Sequence, residues 1–268
     1  MNMPARRLIP AAAVLFVVAT MLLAVRPAAA ENRWGEYHWA RTANPFTLTL
    51  VNRLTTTEWK AHLATSAADW GESSVMDLAT IVSGKGCKAV SGRIVACNGR
   101  FGFSGWLGLA QIWASGNHIV QGLAKMNDTY FNTRTYNSST ARLHVLCQEV
   151  GHAFGLNHQR DPASNTCMDD VNGLFDPAFT APNAHDYEEL ELIYAHLDTG
   201  TTIQSFGASL FAVGPRPSAA TTSGEDGDDW GVPVAHGPDG RANVFLQDEG
   251  GEHKVTFVYW APRGNPEH

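Results

Sequence analysis

The residues best suited to hold a metal ion and move a proton are concentrated in one short stretch, QEVGHAFGLNH, from Gln148 to His158. On a helix, Gln148 and His152 lie one turn apart on the same face and can reach a single ion. Glu149 sits beside them, where a carboxylate can address a water on that ion. Gly155 can adopt a positive φ, end the helix and turn the chain back. His158 can then return to the same ion from the loop. Two ligands, a base, a glycine break and a third ligand satisfy the needs of metal-assisted hydrolysis. Taken alone, His152 would read as structural; it is the register of the set that points to a site.

Gln148 is the unusual member. A glutamine offers a metal only its neutral amide oxygen, a weaker donor to a borderline-soft ion than an imidazole nitrogen, although its reach is similar. Weaker affinity, a more electrophilic ion and a changed metal preference follow from that donor. His144 lies one turn before Gln148, which displaces it by about 5.4 Å along the axis. It is read as a histidine packed or hydrogen-bonded on the helix. Cys147 points about 100° away from Gln148 and makes a poor substitute ligand.

The elements needed to hold this stretch are those of an α+β chain. TLTLVNRL (Thr47–Leu54) alternates like a strand, and Trp59, Leu63 and Ala67 recur at helical spacing before a breaker at Gly71. VMDLATIV (Val75–Val82) reads as a second strand, so the opening is strand–helix–strand with parallel neighbours. GCKAVSGRIVACNG reads as a loop or short hairpin. WLGLAQIW and HIVQGLAKMN flank the turn signal ASGN and form a hairpin over Trp106–Asn127. Asn137, Ser138 or Ser139 caps the helix that runs to about Phe154. A last helix is expected over Asn183–Leu197, capped by Asn183. Residues 199–229 have the Thr, Ser, Gly, Ala, Pro and acid composition of a linker. Residues 230–268 then read as a small element of three short strands.

The chain has 268 residues and a formal charge of −7. Arg6 and Arg7 precede an apolar run of about 18 residues, and small residues stand at Ala28 and Ala30, the layout of an export signal at residues 1–30. An uncleaved membrane anchor is the alternative. Cleavage would remove Arg6, Arg7 and Arg26, taking the charge from −7 to −10. No basic patch remains to grip phosphates, which excludes a nucleic-acid partner; no other segment could span a bilayer, and a secreted monomer is expected. Cys87, Cys97, Cys147 and Cys167 are an even set suited to an oxidising compartment. Four cysteines allow three pairings. The two local ones are favoured, each closing a loop worth roughly 3 kcal/mol in the chain-entropy model.

QEVGHAFGLNH resembles the metzincin signature, histidine–glutamate–x–x–histidine–x–x–glycine–x–x–histidine, in four of its five defined positions. Met168, ten residues after His158, stands where metzincins place the methionine of the Met-turn. The order of strands and helices agrees, and within the clan the chain is most similar to bacterial matrixins. The resemblance covers about Pro45–Leu197 and implies a catalytic domain over residues 31–198. It implies Zn²⁺ at Gln148, His152 and His158, Glu149 as general base, and a peptide or protein substrate. Calcium sites are not locatable from the sequence. It also implies that GLAQIW is an edge strand to which substrate backbone adds. A Cys147–Cys167 bridge would tie the helix to the Met-turn, and no cysteine-switch segment is visible between residues 31 and 45. Two other readings stand beside this zinc endopeptidase: a binding module disabled by Gln148, and a hydrolase using Cys147 as nucleophile.

Overall fold

The computed structural model describes residues 32–161, 164–204, 229–248 and 250–263. The expected export signal and most of the expected linker lie outside them. Phe46–Arg53 (β2) leads into Thr57–Trp70 (α1), whose N-terminus is capped by Thr56 Oγ1 accepting from the Trp59 amide at 3.2 Å. The chain returns as Met76–Val82 (β3), parallel to β2, with Phe46 opposite Met76. Ile94–Gly99 (β4) then lies parallel to β2 on its other side. Trp106–Ser115 (β5) and His118–Asn127 (β6) form the expected hairpin, and β6 runs parallel to β4.

After a single turn of helix at Asp128–Phe131 (α2), Ser138 caps Ser139–His152 (α3) through its side-chain oxygen. Asn183 and Asp186 form a reciprocal capping box at Ala184–Ile193 (α4). That helix stops short of Leu197. Asn44 Nδ2 donates to the Tyr194 carbonyl at 2.8 Å, and Arg41 donates to the His196 carbonyl, so the N-terminal segment takes the carbonyls of the terminal turn.

The C-terminal strands depart from expectation. Val232–His236 (β7), Ala242–Asp248 (β8) and Glu252–Trp260 (β9) do not form an element of their own. They extend the main sheet, which has the order β3-β2-β4-β6-β5-β9-β8-β7, with His38–Trp39 (β1) joining β6 to make nine strands among the described residues. β5 is therefore interior, not the expected edge: β9 runs antiparallel to it, with Phe257 opposite Ala110. The reason lies in β9 itself. Val255, Phe257 and Tyr259 enter the main core, while Val258 joins Trp106 and Leu109 on the opposite face. A strand apolar on both faces belongs inside a sheet. The expected linker also begins later than residue 199, because the Thr202 amide donates to Ala40 O at 3.0 Å and the Gln204 amide to Gly92 O at 3.1 Å.

α1 and α3 lie together on one face of the sheet, with Trp59, Trp70, Val145 and Val150 in the core beneath them. The opposite face carries Val51, Val95 and Leu123 under the loop around Cys87. The Cys87–Cys97 disulfide joins that loop to β4, which is a strand of the parallel set and no part of a local hairpin. No helix among the described residues is long and apolar enough to cross a membrane.

Candidate metal centre

The last turn and a half of α3 carries Gln148, Glu149 and His152, with Glu149 against β5 and His152 against β9. Two glycines make the approach possible. At Gly108 in β5 a Cβ would lie 2.4 Å from Glu149 Oε1, and at Gly151 it would lie 2.5 Å from Met168 Sδ. Met168 thus sits against the helix that carries the site. The Cys147–Cys167 disulfide holds the two segments together, and the Gln159 amide donates to Met168 O at 2.9 Å. With all four cysteines paired, Cys147 has no thiol to act as a nucleophile.

The helix ends at His152 with Ala153 as its C-cap, and Gly155 then turns the chain at φ +101°, where a Cβ would lie 2.3 Å from Tyr37 O. An N-terminal strap fixes this turn. Trp34 N donates to Gly155 O at 2.9 Å, Asn157 N to Asn32 O at 2.6 Å, and Trp39 Nε1 to Ala153 O at 2.9 Å. The turn brings the His158 ring to 4.6 Å from that of His152, edge to face. Gly155→Ala combines backbone strain with a backbone clash, so a loss of about 2 kcal/mol or more is expected in urea unfolding.

His152 Nδ1–H donates to Leu156 O at 2.9 Å, which leaves the Nε2 lone pair available. His158 Nε2, both amide atoms of Gln148 and both carboxylate oxygens of Glu149 are buried with no hydrogen-bond partner among the described residues. An orphaned buried polar group costs about 1–3 kcal/mol, so such a group of them, placed together, calls for a ligand that satisfies them. A nitrogen-and-oxygen donor set of this kind suits a divalent zinc-like ion.

Burial, with the His158 ring beside it, holds His152 well below the usual imidazole range. Burial likewise pushes His158 down to about 4 against the pull of Asp170. Both rings are therefore neutral at pH 7 and able to donate a lone pair. Burial, then the charge of Asp170, raises Glu149 well above an ordinary carboxylate. Burial acts to raise Asp170 too, but His158 and the Arg160 guanidinium bring it down to about 2.

Several residues of this centre were not apparent from the sequence. Asp170 Oδ2 stands 3.6 Å from His158 Nε2 and is gripped by Arg160 Nη2 at 2.7 Å and Asn243 Nδ2 at 2.9 Å. Phe257 of β9 stacks on the His152 ring, with centroids 4.2 Å apart and planes 7° from parallel. Tyr259 O–H donates to His144 Nε2 at 3.2 Å, while His144 Nδ1–H donates to Phe179 O at 2.6 Å. His144 is thus a hydrogen-bonded helix residue. Under this cover Gln148 and Glu149 have no solvent exposure and His152 has 1%. The acid pair after Met168 was the only local hint of Asp170; nothing local to β9 pointed to its place beside His152.

No protein-family model matches this chain, and no curated protein matches it in sequence.

Proposed function

We propose that the chain is a secreted, zinc-dependent metalloendopeptidase of metzincin type, held latent by its own strand β9. The observation that carries the reading is the set of buried atoms on Gln148, Glu149 and His158 with no hydrogen-bond partner among the described residues, beside the Nε2 lone pair of His152. Gln148 Oε1, His152 and His158 would hold the ion, and Leu156 O fixes the tautomer of His152. Bound zinc supplies Lewis acidity that polarises a scissile carbonyl and acidifies a water. Glu149, which has no hydrogen-bond partner among the described residues and whose basicity burial raises, would in its ionised form take the water proton and return it to the leaving amine. Gly108 lets β5 approach Glu149, so a peptide paired with β5 would lie across the base. That position is filled by β9, antiparallel to β5, with Phe257 over His152. The disulfides suit an extracellular protein.

A scaffold that binds peptide without cutting it is the second reading, and the amide at Gln148 favours it. Elemental analysis after dialysis separates metal-loaded from metal-free forms of the site. Zinc retained by the natural chain and reduced by one equivalent in His152→Ala is the expected result. A zinc content that His152→Ala leaves unchanged overturns the metal reading altogether.

A further inference from the structure

Far along the chain from QEVGHAFGLNH, three segments converge at a second cluster. His38 comes from β1, His118 from the start of β6, and His196 and Asp198 from the chain after α4. His196 Nε2 lies 3.1 Å from His38 Nε2, and Asp198 Oδ1 lies 3.4 Å from His38 Nε2 and 3.7 Å from His196 Nε2. These three atoms form a triangle. Tetrahedral zinc with bonds of about 2.0–2.2 Å separates its ligand atoms by about 3.3 Å, close to each side of it. His118 Nε2 stands 3.2 Å from Asp198 Oδ1 but outside the set of ligand atoms that lie within 4.8 Å of one another, so its half-exposed side chain would have to turn inward to supply the fourth donor.

We propose that His38, His196 and Asp198, completed by His118, form a second zinc site that anchors the N-terminal strap. The second observation is the tautomer of His38. Its Nδ1 lies 2.7 Å from the Glu36 carbonyl, so Nδ1–H donates there and Nε2 carries a lone pair. That lone pair faces a carboxylate oxygen and another imidazole nitrogen. One shared proton can satisfy a single side of the triangle; a cation at its centre satisfies all three. A carbonyl orienting a histidine from behind is also the usual outer support of a metal ligand. Arg41 takes the other carboxylate oxygen, with Nη1 3.0 Å from Asp198 Oδ2, and leaves Oδ1 to the histidines. A cleft of about 280 Å³ lined by His118, Asp198 and residues 199–202 opens beside the cluster. Three imidazoles and a carboxylate match a closed, structural zinc site better than a magnesium or calcium site.

The site would join β1 to the end of α4. Because Trp34 and Trp39 of that strap donate hydrogen bonds to the carbonyls of Gly155 and Ala153, the ion would stiffen the loop that aims His158.

The test uses zinc alone on the full chain. In His152→Ala/His158→Ala, which lacks the first centre, one zinc per chain and a zinc-dependent rise in melting temperature are expected. Adding His196→Ala, at an exposed position, should abolish both. If the double variant does not fold, the natural chain serves: two zinc equivalents should fall to one in His196→Ala and in Asp198→Asn. Zinc should also slow amide exchange at Trp39 in the natural chain and not in His196→Ala. A zinc count and exchange rate indifferent to His196→Ala overturn the proposal, whatever the fate of the first centre.

Discussion

A chain cut between residues 205 and 228 at an introduced protease site, and carrying Phe257→Ala, is expected to hydrolyse an unstructured polypeptide at least ~10² times faster than the intact chain. Two effects combine. The cut removes the tether that keeps the C-terminal strands at an effective concentration on the order of mM beside β5. The substitution deletes a fully buried ring that stacks on His152 and meets the edge of Trp34. A buried Phe→Ala change costs about 3–5 kcal/mol, or roughly two to three and a half decades in the balance between seated and released strand. Glu149→Ala in the same background is expected to lose about 10² or more of that activity while keeping zinc, because the base goes and the ligands stay. Circular dichroism and zinc content must show the cut chain folded and loaded. If it is, and hydrolysis stays at background, the latent-enzyme reading fails and the non-cutting scaffold stands.

Gln148→His is expected to raise zinc affinity at least tenfold, about 1.4 kcal/mol, in chelator competition. An imidazole nitrogen replaces a weaker amide oxygen at the same point on α3, one turn before His152. Gln148 is fully buried and neither end of its amide has a hydrogen-bond partner among the described residues, so the exchange breaks no hydrogen bond there. Activity need not follow affinity, since a weaker donor leaves the ion more electrophilic. An unchanged zinc affinity would mean that residue 148 does not touch the ion.

What could be read from the sequence was what is local. Gln148, Glu149 and His152 share little more than one helical turn, and Gly155 needs its positive φ within the same stretch, so spacing alone carries their geometry. The β2–α1–β3 opening and the β5–β6 hairpin are likewise short-range, set by period and by turn residues. β9 was legible as a strand but not in its place. Its pairing joins Ala110 to Phe257 across the whole second half of the chain, and no local pattern encodes a partner at that distance. KVTFVYWA did carry one unused hint, since apolar residues at both parities suit a strand covered on two faces. His196 and Asp198 stand two residues apart, but neither has any local spacing to His38 or His118; the sheet and the α4 terminus assemble them. Asp170 acquires its place only through Arg160 and Asn243, one in the loop after His158 and one in β8.

The cover over His152 also changes what kind of quantity governs its occupancy. An amide ligand makes for modest equilibrium affinity, yet an ion beneath Phe257 leaves only when β9 lifts. β9 is buried on both faces, so its lifting is a sub-global opening with a correspondingly small population. Residence would then be a matter of rate. A chelator would strip the ion at the frequency of strand opening, and adding more chelator would not hasten it. Loading would follow the same clock in reverse. β9 seals the centre, so on this reading the ion would have to arrive during folding, ahead of β9, and a chain that folds without it would stay empty in a zinc-replete medium for as long as the strand stays down.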